Sequence, residues 1–254
     1  RFLMILSKSK NFIYIHIEKT GGTSIEECLT PFLSDTDIVL GGTTKGNLNE
    51  NILYKKYGYD YVQQNMLWKH SNSTQIKNII KSDWDTMYKF ATVRDPIKIM
   101  ISMYFYILKN LQHYNIPLNI NNVILNKQLN QEILIKDLTV YTDDQYNFYF
   151  LQSKINKQGI DFFIQECLNN NLYATLPQSN KIDSSVEVFD IEYINLDWKN
   201  ILKKINIKED VKLNKINVSN KPNNIELQNK TIALIKDRKS TRLNSSHTDI
   251  SRMP

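Results

Sequence analysis

The chain has 254 residues, of which 41% are hydrophobic, 23% charged and 11% aromatic, and its formal net charge is +6. That composition excludes a disordered or fibrous protein and suits one α/β domain with a real core. The only two cysteines, Cys28 and Cys167, lie far apart in sequence, which excludes a disulfide framework or a cysteine-metal cluster and predicts a reducing compartment, the cytoplasm.

The first predicted element is a buried strand over Phe12–Ile17, "FIYIHI", a short apolar run rich in β-branched and aromatic residues. A helix is predicted over Thr23–Leu29, with two overlapping capping boxes, Thr23 with Glu26 and Ser24 with Glu27, and a stop at Pro31. Asp37–Leu40 reads as a second strand and Ser73–Lys81 as a short helix with Ile76, Ile79 and Ile80 inward. Tyr88–Val93, "YKFATV", is a strand ending at Arg94-Asp95-Pro96. Asp95 suits an N-cap and Pro96 a first helical position, so a helix should run to about Lys109. Asn115–Asn130 is Asn-rich and reads as a loop or insertion. Beyond it, Ile160–Leu172 reads as helix, Val186–Ile194 as strand and Asp197–Ile205 as helix. Two strand-loop-helix units predict an α/β fold: a P-loop-like parallel sheet flanked by helices, in a single domain over residues 1–235.

Residues 236–254 are expected to be a non-native or disordered tail. From Asp237 the sequence "DRKSTRLNSSHTDISRMP" lacks apolar periodicity and resembles adapter or vector read-through. The tail holds five basic and two acidic residues, half of the net charge, so the remaining +3 gives no reason to expect nucleic acid as a partner. No apolar run has the length of a membrane span; the longest, around Ile97–Leu108, contains Lys98 and Ser102. The chain begins with Arg1, so a preceding anchor and a Golgi lumenal location form the alternative to the cytoplasm.

Between the first strand and helix stands Lys19-Thr20-Gly21-Gly22-Thr23-Ser24. A strand-to-helix loop offers unpaired backbone N–H groups and the positive end of the helix dipole. Two glycines let that backbone curl so that several N–H groups converge. Lys19 adds a positive charge, and Thr20, Thr23 and Ser24 add hydroxyls. A tight turn beside a solvated lysine is the plainer reading of Gly-Gly alone. The complete pattern predicts an anion cradle for a phosphate or another tetrahedral group. It is not a Walker A loop, because Lys19 precedes both glycines rather than following the last.

This loop resembles the 5′-phosphosulfate loop of sulfotransferases that use 3′-phosphoadenosine 5′-phosphosulfate, and is most similar to the carbohydrate-type branch and its bacterial relatives. Glu18 stands where that loop usually has Pro. A second match lies in "FATVRDPIKIMISMYF", which resembles the family's 3′-phosphate motif: Arg94, Asp95 and Pro96 after a strand, and Ser102 in the next helix. A guanidinium at a strand end can grip a phosphate in a bidentate manner. Ile99, with Lys98 beside it, occupies a position where the family commonly has Arg.

The resemblance implies a sulfotransferase that moves a sulfuryl group to a hydroxyl or amine, with the nucleotide as co-substrate, no metal, and a carbohydrate as the expected acceptor. It implies donor binding by Lys19, Thr20, Gly21, Gly22, Thr23, Ser24, Arg94 and Ser102, with Lys19 also offsetting charge on the leaving oxygen. Of the histidines, His247 lies in the tail, His113 follows the Arg94 helix with no motif around it, and His16 reads as a core residue. His70, in "LWKHSNSTQIKNII", matches a Lys-His of the relatives and is the expected general base, an imidazole titrating near neutrality. Glu192 and Asn217 lie in segments similar to later family elements and read as structural. The alternatives are a P-loop-like kinase, with Asp190 of "SVEVFDIE" as a Walker B carboxylate, and a non-catalytic nucleotide-binding module.

Overall fold

A computed structural model describes residues 4–40, 49, 51–53, 55–56, 65–114, 159–169, 177–214 and 225–243. They fall into two compact units, the first built from segments before Pro96 and from 177–214, the second from 96–114, 159–169 and 225–243. The predicted loop at Asn115–Asn130 lies outside the described residues, as do Asn217, His247 and everything beyond Leu243.

The first unit contains strands β1 (Met4–Ser7), β2 (Phe12–Ile15), β3 (Ile38–Leu40), β4 (Tyr88–Val93) and β5 (Glu187–Asp190). Its helices are α1 (Gly22–Leu29), α2 (Ser73–Ile80), the single turn α3 (Asp83–Thr86) and α6 (Ile194–Lys204). The strands form one sheet in the order β3-β1-β2-β4-β5. The β2-β4-β5 half is parallel, as the sequence predicts. The β1 strand is antiparallel to both β2 and β3, so the sheet is mixed rather than wholly parallel. The reason is local: residues 8–11 join β1 to β2 as a hairpin, too short for the crossover that a parallel neighbour needs.

Alternate side chains of each strand enter two cores. Met4, Leu6, Ile13, Ile15, Ala91 and Val93 pack with Ile76, Trp84 and Met87 of the α2–α3 side. Ile5, Phe12, Tyr14 and Phe90 pack with Ile25 and Leu29 of α1 and with Trp198, Ile201 and Leu202 of α6. Each fully buried large apolar side chain contributes roughly 1.5–3 kcal/mol, and both faces are covered, as a parallel sheet requires.

The helix starts differ from one another. Asn72 caps α2 through a capping box with Gln75. By contrast α1 begins at Gly22, its N-cap is Gly21 in the left-handed region, and no side chain caps it. Neither expected capping box forms, because Thr23 and Ser24 already lie inside the helix and Glu26 is buried.

In the second unit, α4 (Pro96–Tyr114), α5 (residues 159–169) and α7 (Asn229–Leu243) form a small helical core around Met100, Met103, Phe163, Ile164, Cys167, Leu168 and Ile235. Helix α4 outlasts its predicted end at Lys109, so His113 belongs to its last turn and not to a loop. The tail boundary expected at 236 falls inside α7, which continues to Leu243. No helix among the described residues is long and apolar enough to cross a membrane.

Candidate active site

The loop after β2 is shaped by its own backbone. Lys19 takes a left-handed conformation, φ 63°, unusual for a residue with a Cβ and the kind of local strain that functional loops hold. Gly21 follows at φ 81°, and a Cβ there would meet Ile191 Cγ1 at 2.7 Å. A Cβ on Gly22 would lie 2.1 Å from Cε1 and Nδ1 of the buried His16 ring. The two glycines are thus required for different reasons, one for its dihedral angle and both for space. Ser24 N–H donates to the Gly21 carbonyl at 3.0 Å, closing the first turn of α1. Thr20 turns inward: its hydroxyl donates to the Ile17 carbonyl at 2.7 Å and meets Thr92 Oγ1 at 3.1 Å, which in turn bonds Tyr14 Oη at 2.8 Å. These hydroxyls pin the loop to β4, while Thr23 stays half-buried at the helix start.

Arg94 stands at the matching place on the next strand, since β2 and β4 are parallel neighbours with Ile15 opposite Ala91. Its backbone is held by one side chain: Gln178 Oε1 accepts the Arg94 N–H at 2.9 Å, and Gln178 Nε2 donates to the Arg94 carbonyl at 2.7 Å. The guanidinium Nε donates to Glu192 Oε1 at 2.9 Å, and Nη1 reaches the Lys19 carbonyl at 3.5 Å. Burial, and then the nearby Arg94 charge, press the Lys19 ammonium down to about 8. Two cations therefore share the carboxyl ends of adjacent parallel strands, the place where open α/β sheets bind ligands, and their mutual repulsion favours an anion between them. Asp190, the possible Walker B carboxylate, instead accepts the Glu192 N–H at 2.9 Å.

His70 is also in the first unit, but it is sealed at 1% exposure. Its ring meets those of His16 and Trp68 edge-on, at centroid distances of 5.7 and 5.1 Å. Glu18 Oε1 lies 3.3 Å from His70 Nδ1 and 3.1 Å from Lys181 Nζ. Burial above all drives the His70 imidazole well below its ordinary value, and drives His16 down to about 3, so both rings are neutral near pH 7.

Over residues 3–251 the chain matches the Sulfotransferase family. It belongs to that family. No curated protein and no solved structure matches it significantly. The family match spans both structural units, and the activity class is sulfuryl transfer.

Within this sulfotransferase the first unit holds Lys19, Thr20, Gly21, Gly22, Thr23, Ser24 and Arg94 at the carboxyl ends of β2 and β4, with His70 in the loop before α2. Ser102 is a half-buried residue of α4 in the second unit, and Ile99, at the expected Arg position on the same helix, is buried at 5% exposure. The sequence reading missed Gln178, Lys181 and the buried partnership of Glu18. A signal existed only for Glu18, whose charge replaces the usual Pro. Gln178 and Lys181 sit in an unremarkable "PQSNK", and their importance comes from reaching across the fold.

Proposed function

We propose that this sulfotransferase takes its sulfuryl group from 3′-phosphoadenosine 5′-phosphosulfate and passes it to a hydroxyl, or an amine, of a carbohydrate. The observation that carries the reading is the 3.5 Å approach of Arg94 Nη1 to the Lys19 carbonyl, which brings the two cationic loops close together. A ligand with phosphate-like groups at both ends suits two adjacent cations better than a singly charged one. The fit also draws on the start of α1, which no side chain caps.

In the reaction, the acceptor oxygen attacks sulfur in line and forms the new S–O bond. The bond from sulfur to the bridging phosphate oxygen breaks, and its electron pair stays on the nucleotide. Lys19 offsets the charge growing on that oxygen. Arg94 serves the 3′-phosphate. His70, neutral near pH 7, is the group proposed to take the acceptor proton. Its near-complete burial favours a second reading, in which the imidazole is a structural member of the loop support. His70→Gln separates the two: as base it should lose transfer with nucleotide affinity intact, and unchanged transfer would leave the ring a structural role.

Isothermal titration with adenosine 3′,5′-bisphosphate, compared with ATP in the presence and absence of Mg²⁺, tests the donor reading. Tight bisphosphate binding without metal is the expected result. Tight ATP binding that depends on Mg²⁺ would move the assignment to a kinase, because a transferred phosphoryl group relies on a metal clamp.

A further inference from the structure

One short 3₁₀ turn, Gln178–Lys181, touches each cationic loop of the site. Gln178 closes a two-bond clasp on the Arg94 backbone, at 2.9 and 2.7 Å. Three residues on, Lys181 Nζ lies 3.1 Å from the carboxylate of Glu18, the covalent neighbour of Lys19. The same ammonium donates to the His70 carbonyl at 3.2 Å and sits 5.9 Å over the Trp68 ring. The Lys181 carbonyl accepts the Ser73 hydroxyl at 3.0 Å, and that hydroxyl accepts the Asp183 N–H at 2.9 Å, so the turn is itself fastened to the start of α2.

The sheet alone does not fix the two loops against each other. The β2-β4 register ends at Ile15 opposite Ala91, and the functional residues lie beyond it. Glu18 is 6% exposed, and a buried carboxylate holds its cation firmly because separation would strand a charge in a poorly solvated place. A charge-assisted contact at one end of the turn and a double amide bond at the other make a stiff link.

We propose that the Gln178–Lys181 turn is a strut that sets the distance between the Lys19 loop and Arg94, with Gln178 and Lys181 as positioning residues for a ligand gripped at both ends. The proposal rests on the bisphosphate-donor reading above. It predicts a selective loss: each grip keeps its own phosphate, but a ligand spanning both no longer gains from the second contact, since small misplacements are costly for two-point binding.

The test compares adenosine 3′,5′-bisphosphate with 3′-AMP and 5′-AMP by titration calorimetry, using the wild type, Gln178→Leu, Lys181→Met and Lys181→Arg. Either disabling variant should weaken the bisphosphate by about tenfold to a hundredfold while moving the monophosphates by less than about twofold. Lys181→Arg, which keeps the charge, should restore most of the difference. Equal loss for all three ligands, or no loss for the bisphosphate, overturns the strut. If Lys181→Met fails to fold, Gln178→Leu, which leaves the Glu18 ion pair in place, decides by the same criterion. A wild type that binds the bisphosphate no better than the monophosphates would instead defeat the donor reading itself, so the two failures are distinguishable.

Discussion

The loops after β2 and β4 occupy equivalent positions on neighbouring parallel strands, yet they are built on opposite principles. The β2 loop works through its backbone: left-handed Lys19 and Gly21, a Gly22 pressed on His16, and hydroxyls turned inward. The β4 end works through one side chain, Arg94, with a guanidinium aimed by Glu192 and a backbone clasped by Gln178. A backbone cradle suits the reacting end of a ligand, where charge develops and must be met without reorganisation. A guanidinium suits an end that needs only to be held.

That contrast yields the largest predicted effects. Lys19→Ala should slow transfer by about 10²–10³, roughly 2.7–4 kcal/mol in the barrier, with a smaller loss of donor affinity. Arg94→Ala should do the reverse, costing about 1.5–3 kcal/mol of bisphosphate affinity with little change in turnover at saturating donor. Single-turnover rates and calorimetry on both variants check the pair, and matching losses in both parameters would dissolve the distinction.

Acid should strike the β2 loop in particular. His16, held near 3, and His70, also depressed, stay neutral in the folded chain, whereas unfolded histidines protonate around their ordinary value of 6.5. Below that value the unfolded state binds more protons, so stability falls as pH falls, by about 1.4 kcal/mol per pH unit for each histidine and about 2.7 for the two. Urea unfolding at pH about 7, 6 and 5 measures the slope, and His70→Gln should remove about half of it.

A last substitution tests the cradle's geometry. Gly22→Ala forces a methyl group against the His16 ring and should cost about 1–3 kcal/mol of stability, together with bisphosphate binding. A variant with unchanged unfolding midpoint and affinity would mean that the loop can yield, contrary to its tight packing.

Much of this was legible before folding. The strand over Tyr88–Val93, the helix from Ser73 and the helix start at Pro96 follow from apolar pattern, capping and proline, which act within a few residues. The lysine-glycine loop and Arg94 point to the proposed anion site because their chemistry is local. The β1 strand was not legible, since its four residues are buried on both sides and show no alternation. The α1 capping boxes misled because the start of that helix is left without a side-chain cap.

By itself, then, the sequence determined which residues carry charge and which turns can curl, because dihedral preference and side-chain chemistry belong to each residue. Only the tertiary structure decided that the Arg94 guanidinium reaches the Lys19 carbonyl, that Glu18 lies buried beside His70 and Lys181, and that the Gln178–Lys181 turn bonds to Arg94 and pairs with Glu18. Those relations join segments some 50 to 160 positions apart in the chain, and such distances are closed by packing across a sheet, which no short stretch of sequence encodes.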